Sequence, residues 1–385
     1  MHQILIMDGR RSLFDYRSVI TDDLGEYRLW NIGPGGYVLK AAGRGIGTGL
    51  YTTDALPSFS AAETFAPVYF GGSKDWRTAT PVTIHSGSEL KADFRLFLQP
   101  ARRIRGTVTG QTLLRSATFE LFDPQGNQVS TRAVLSGTGG SFQLLDVLPG
   151  SYAVRVLQGD RGAQVFGEAQ VTVGETDVDG VLIPLKPGVE VKVIADCMPA
   201  DTSDAGLPCA ANLNLYRLNG QQLQMNIDQK EGALSYRDVP AGAYEFQPIT
   251  FNRYVTGVLI GGHPVRPNEK MGVFAGMPPV EIQTAADGGS IEVKLDFPNS
   301  ESIPNLQILA VPMFESYAGP SLIPIGPSDF LKLAPGDYQV YAFPASNLGK
   351  IEYRNPEVLR TLLPGASVKV EPHGHHRVTI RSLAQ

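Results

Sequence analysis

Cysteine is close to absent from this chain of 385 residues, with two, Cys197 and Cys209. A basic surplus is absent as well. Lys and Arg total 33 against 38 Asp and Glu, giving a formal net charge of −5, which withdraws support from nucleic-acid binding and from attachment to anionic lipid. No apolar run approaches the ~20 residues of a membrane-spanning helix, so membrane insertion is not expected. The opening MHQILIMDGRR lacks a basic n-region, and its apolar run is too short for a signal peptide. Helix signals are scarce. The one candidate is NPEVLRTLLPG at 355–365, where Asn355 can cap and Pro356 suits the first helical position. Val358, Leu359, Leu362 and Leu363 share a face there before Pro364 and Gly365 stop it.

What the chain does have is 42 Gly and 28 Pro in a sequence that is 42% hydrophobic. That combination predicts many tight turns joining many short strands. The length suggests two to four domains. The turns repeat. GPGGYVLKA from Gly33, LPGSYAVRV from Leu148, PAGAYEFQP from Pro240 and APGDYQVYA from Ala334 are nearly the same nine letters. Taking the turn glycine as origin (Gly35, Gly150, Gly242, Gly336), a tyrosine follows two residues later in every copy: Tyr37, Tyr152, Tyr244 and Tyr338. Leu39, Val154, Phe246 and Val340 come two further on. Upstream, Ile32, Val147, Val239 and Leu333 stand three before the glycine, and Leu29, Leu144, Tyr236 and Phe330 six before. The copies lie roughly a hundred residues apart, so each marks one whole domain, unlike the shorter periods of solenoids.

The period-two alternation on both sides of the turn predicts strands with one buried face. Pro34, Pro149 and Pro335 preset φ at the first central turn position, and the glycine supplies positive φ at the second. The tyrosine then opens the next strand with its ring towards the core. Its buried hydroxyl needs a partner, and a nearby backbone group at the corner of a sandwich is the obvious one. A strand, a polar turn and a closing strand end the units at 79–98, 167–185, 278–297 and 365–383. The expectation is an all-β chain of tandem prealbumin-like or Ig-like sandwiches at 1–98, 99–187, 188–284 and 285–385, the last carrying the short helix. Linkers this short favour a rod or a bent stack.

The stretch TDDLGEYRLWNIGPGGYVLKA at 21–41 resembles the signature of carboxypeptidase regulatory-like domains, which have the prealbumin (transthyretin-like) fold. Asp22, Asp23, Gly25, Tyr27, Leu29, Pro34, Gly35 and Tyr37 carry the resemblance, and Gly139, Phe142, Leu144, Pro149, Gly150 and Tyr152 carry it in the second copy. The third copy departs, with Ala241 in place of the turn proline, and the fourth keeps Pro335, Gly336 and Tyr338. The resemblance implies a secreted or cell-surface bacterial protein, extracellular or periplasmic, commonly without catalytic activity. Such domains usually begin with a strand well before the Asp-Gly turn. Here HQILIMD takes the place of a second strand, so the first sandwich is expected to be N-terminally incomplete, part of a longer parent, with an unpaired edge open to strand addition.

Candidate chemistry is thin. His373, His375 and His376 in HGHH could ligate zinc, copper or nickel, or serve as solvated turn residues. The His-x-x-Glu pair of a zinc carboxypeptidase is missing; Glu89 stands four after His85. Asp22 with Asp23, Asp177 with Asp179, and Asp201 with Asp204 could hold calcium, or occur because Asp suits turns. APVYFGGSKDWRTATPV at 66–82 gathers Tyr69, Phe70 and Trp76 with Lys74, Asp75 and Arg77, a possible sugar platform if the rings are exposed and plain core if they are not. Cys197 and Cys209 flank a polar loop and either close a disulfide or stay apart. No cofactor and no catalysis are expected. The reading is a rod of sandwiches for adhesion or assembly, with protein or polysaccharide as partner. A carbohydrate-binding array, or an accessory part of a secreted hydrolase, is the alternative.

Overall fold

The computed structural model describes the chain apart from residues 8–9, 44–50, 54–62, 113–115, 125, 130, 137–139, 199–208, 218–222, 224–225, 231–232, 251–252, 297–305, 325–329, 345–350, 363–364 and 382–385. Gly139, Asp201, Asp204, Leu363 and Pro364 therefore lie outside the described residues. The fold is all-β with tandem sandwiches. Among the described residues the only helices are α-helical Pro356–Thr361 and a 3-10 turn at Trp76–Thr78. Two compact units are present, Met1–Leu5 with Leu13–Gly188, and Ile6–Ser12 with Val189–Gln385.

The second repeat displays the plan in full. Its first strand, Arg102–Thr109, lies between two neighbours in one sheet. It runs antiparallel to Ser141–Val147, just before the turn, and parallel to the closing strand Val178–Pro184. The turn carries the chain to the opposite sheet, where Gly150–Gln158 pairs antiparallel with Thr118–Phe122 and Val165–Val173. Alternate residues of both sheets, among them Ile104, Leu121, Phe142, Leu144, Val154 and Ile183, meet in one buried core. Gly106 sits where Arg102–Thr109 crosses the Phe142 ring: a Cβ there would lie 2.1 Å from the Val181 carbonyl oxygen and 2.7 Å from the ring. Only glycine fits.

The second unit uses the plan twice more. Val189–Cys197 lies between Ala233–Val239 (antiparallel) and Val280–Ala285 (parallel). Gly289–Leu295 lies likewise between Phe330–Leu333 and His375–Ile380. Asn355 caps the short helix by accepting the Glu357 amide at 3.0 Å. Val358, Leu359 and Leu362 from this segment then pack on Leu309, Val311 and Phe343.

The corner is the same in all four copies. Tyr37 donates its hydroxyl to the Gly33 carbonyl at 2.8 Å, Tyr152 to Leu148 at 2.9 Å, Tyr244 to Pro240 at 2.7 Å and Tyr338 to Ala334 at 2.9 Å. Each bond spans four residues, and each ring is buried. The turn glycines differ from a type II turn. Their φ values are 158°, 159°, 157° and 152°, more extended than the ~+80° of that turn, because each glycine already begins the next strand. The left-handed residue lies earlier. Asn31, Asp146 and Asp238, four before the glycine, have φ of 55°, 62° and 59°. In the second and third repeats the ladder shifts register beside this residue, a β-bulge that turns the strand into the corner. Asn and Asp are the non-glycine residues that best tolerate this conformation.

Among the described residues, the first repeat builds one of the two sheets in regular form. His2–Met7 pairs antiparallel with Gly35–Val38, which pairs with Val82–Ile84, matching the Thr118–Phe122, Gly150–Gln158 and Val165–Val173 sheet of the second repeat.

Candidate interaction surface on the first repeat

Several of the described polar residues singled out in the sequence are held by structural partners. His375 and His376 are successive residues of a strand and so point to opposite faces. His375 Nδ1 lies 2.8 Å from Ser290 Oγ, and His376 Nε2 accepts the Glu371 amide at 3.0 Å. His373 occupies the turn at φ 53°. The three imidazoles do not converge, and among the described residues no group of three or more His, Cys, Asp or Glu is arranged to hold a metal ion. Glu292, beside His375, has its carboxyl pKa lowered by the hydrogen bond from Arg377.

Asp22 and the Asp177–Asp179 pair are occupied too, while Asp201 and Asp204 lie outside the described residues. Asp22 accepts the amides of Leu24 and Glu26 at 3.0 and 2.7 Å, closing its own turn. Asp177 accepts the Arg103 amide at 3.0 Å and both the Arg103 and Arg105 guanidinium groups at 2.9 Å, and Asp179 takes the second Arg105 nitrogen at 2.9 Å. This ladder ties the first strand of the second repeat to its last. His85 and Glu89 do not meet as a pair: Glu89 bonds Arg28 at 2.9 Å.

The 66–82 loop does not display a sugar platform. Tyr69 is 4% exposed and Trp76 5%, packed together on Val38. Arg77 covers the indole at 4.8 Å, and Asp75 caps the 3-10 turn by accepting the Arg77 amide at 3.0 Å. Phe70 is half-buried, edge-on to Phe94 at 5.9 Å. Only Lys74 of the group stands in solvent without a place in this packing. The indole left open is Trp30, 62% exposed, with Arg17 over it at 5.8 Å. Cys197 and Cys209 are joined, Cα to Cα 5.8 Å, fastening the strand end at Val189–Cys197 to the approach of Ala211–Arg217.

A different feature emerges from burial. Of the fifteen large hydrophobic side chains exposed among the described residues, nine lie in the first repeat, including Ile20, Leu24, Trp30, Leu90, Phe97 and Leu98. Trp30, Leu90 and Phe97 lie within two extended segments, 26–32 and 89–97, that correspond to the strand before the turn and the closing strand. Neither is a strand here. Both keep the period-two burial of one: Tyr27 and Leu29 face inward while Arg28 and Trp30 face out, and Ala92 and Phe94 face inward while Lys91, Asp93 and Arg95 face out. Side chains connect the two segments. Tyr27 donates its hydroxyl to the Ala92 carbonyl at 2.6 Å, and its ring lies 6.4 Å from that of Phe94. Burial, then the nearby Asp93 charge, raises the Tyr27 pKa. The sequence signal for this surface was the leucines and aromatics of GEYRLWNI and ELKADFRLFL, which alternate as strands do but pair with no strand among the described residues.

No family model matches the chain, and no curated protein matches it either. Among solved structures it is similar to the Bacillus anthracis TIE protein, with 13% identity over 84% of this chain and 58% of that one and a TM-score of 0.18. The chain thus spans little more than half of that protein's length. It is similar also to BcpA, the major pilin subunit of Bacillus cereus, with 12% identity, coverage of 74% and 99%, and a TM-score of 0.18. The streptococcal ancillary pilin shows 10% identity, coverage of 73% and 99%, and a TM-score of 0.19. At TM-scores this low none of these likenesses bears on fold or function, and the carboxypeptidase regulatory-like resemblance rests on its motif.

Proposed function

We propose that this chain is a non-catalytic extracellular structural and interaction protein, a rod of four prealbumin-like sandwiches at 1–98, 99–187, 188–284 and 285–385 that serves adhesion or assembly. The concentration of exposed apolar side chains on the first repeat carries the reading. Solvated monomers rarely leave contiguous apolar patches open, and large ones mark contact surfaces. In the second and fourth repeats, Asp177 is held by Arg105 and His376 by the Glu371 amide, both in structural roles. No helix among the described residues is long and apolar enough to cross a membrane.

The test is sedimentation of the full chain over a wide concentration range, alone and with Leu90→Ser plus Phe97→Ser. Reversible association that the double variant weakens supports a contact role for the first repeat. A strict monomer that turns over a substrate in a broad hydrolase panel overturns it.

A further inference from the structure

The chain leaves the third repeat and enters the fourth through a very short linker. The closing strand Val280–Ala285 ends, and Gly289–Leu295, the first strand of the next sandwich, begins after only Ala286, Asp287 and Gly288. Links between domains ordinarily lie in solvent, so relative motion is the default expectation. This one is enclosed. Thr284 is fully buried, Ala285 and Ala286 are buried, and so are Gly288 and Gly289. The Asp287 carbonyl accepts the His373 amide at 2.7 Å, from the turn before the last strand. A Cβ on Gly289 would stand 2.6 Å from the Glu371 carbonyl oxygen, so the same turn packs directly on the end of the linker.

Two tyrosines cross this junction in opposite directions. Tyr254 opens the third-repeat strand Tyr254–Ile260, where it pairs with Ala285, and donates its hydroxyl to Asp287 Oδ1 at 2.8 Å. Burial, followed by that hydrogen bond and the Asp287 charge, pushes its pKa up to about 12, as befits a phenol held away from water beside a carboxylate. In return Tyr317 of the fourth repeat donates to the Val265 carbonyl at 2.6 Å. Tyr317 also packs, with Val265 and Met277, against the third repeat's core. The segment that carries Tyr317 is anchored in its own sandwich. The Met313 amide bonds the Asp337 carbonyl at 2.8 Å, and Phe314 stands edge-on to the corner ring of Tyr338 at 5.5 Å.

We propose that these contacts form a clasp that makes the third and fourth repeats one rigid, cooperatively folding pair, with the joint at 286–288 locked. A hinge is a few residues that absorb large changes in φ and ψ, and buried alanine and glycine packed against backbone carbonyls have no room for such changes. Each repeat lends one phenol to the other, so neither can turn without breaking a bond of its own. A pull on one sandwich, or its local opening, is therefore passed to the other through packed side chains. The clasp goes beyond the contact role of the first repeat and does not depend on it.

The experiment measures transmission between the two cores in the full chain. Val340→Ala opens a cavity at a fully buried site of the fourth repeat and should speed exchange of the Gly336–Pro344 amides about ten-fold or more. With the clasp intact, the Gly242–Thr250 amides of the third repeat should speed up by a comparable factor, since a unit that opens as one shares one opening free energy. With Tyr254→Phe and Tyr317→Ala added, both cores keep their own residues, and the third-repeat amides should no longer respond to Val340→Ala. Tyr254→Phe with Tyr317→Phe removes the two hydroxyls alone and should give an intermediate response. A third repeat that ignores Val340→Ala in the intact chain overturns the proposal, as does an equal response with and without the clasp. Self-association of the chain, kept or lost, reports on the first repeat and leaves this outcome unchanged.

Discussion

The first and second repeats share a motif, a corner and one half of a sandwich, yet among the described residues only the second has a single large core. Seventeen buried residues join in one cluster there, whereas the described residues of the first form two clusters of three, around Trp76 and around Val82. The corner itself is indifferent to this. Tyr37 bonds Gly33 as Tyr152 bonds Leu148, at nearly equal length. A contact spanning four residues needs only its own turn, whereas a central strand must be brought from elsewhere in sequence and flanked on both sides. Local geometry thus forms even where no long-range ladder is described, and Tyr27, Leu29 and Phe94 of the first repeat are half-buried.

The comparison breaks most visibly at the position eight before the turn glycine. Phe142→Ala removes a fully buried ring and should cost about 3–5 kcal/mol; Tyr27→Ala removes a half-buried one and should cost about 1–2 kcal/mol. Hydrogen exchange of Gly150–Gln158 and of Gly35–Val38 reads each repeat separately. Equal losses would mean that the first repeat is as fully packed as the second. Next in size is Trp76→Ala, expected to cost about 3 kcal/mol through the small cluster with Val38 and Tyr69. Retention on a panel of soluble and insoluble glycans, compared with wild type, separates this from a binding role: stability should fall and retention should not change.

Much of this architecture was legible in the letters. Pro-Gly-x-Tyr announced the corner, the apolar offsets announced the faces, and Asn355-Pro356 announced the helix. The bulge was written as Asn31, Asp146 and Asp238 at one fixed offset, a signal that becomes readable once left-handed backbone is seen there. The fate of Trp76 was not legible, since a tryptophan beside two glycines packs inward or outward according to what lies across the fold, here Val38 and Tyr69. Nor was the occupancy of Asp177, whose arginine partners stand more than seventy residues away in sequence. These two segments were half legible: alternation in GEYRLWNI and ELKADFRLFL shows two strands' worth of side chains, but their neighbours in a sheet are a property of the sheet order.

The smallest expected effect tests whether the corners are equal. Tyr152→Phe and Tyr37→Phe each delete one hydroxyl bond to a carbonyl and leave the ring in place, so each should cost about 1 kcal/mol in its own repeat. The pH dependence should be shared as well. Burial, followed by the neighbouring Tyr16 hydroxyl, pushes the Tyr37 pKa up to about 12, and burial raises those of Tyr152 and Tyr338 in the same direction. A phenol with a raised folded-state pKa keeps its proton in the fold after the unfolded chain has released it. The corner's contribution is therefore complete below about pH 10, the unfolded value, and declines as pH rises towards 12. Phenolate absorbance followed alongside circular dichroism should show these tyrosines titrating together with loss of sheet, after the exposed ones have titrated without it. If Tyr37→Phe abolished the alkaline transition of the first repeat while Tyr152→Phe left that of the second untouched, the corner would be a local anchor in one repeat and redundant in the other, and the size of the surrounding core would be what decides between them.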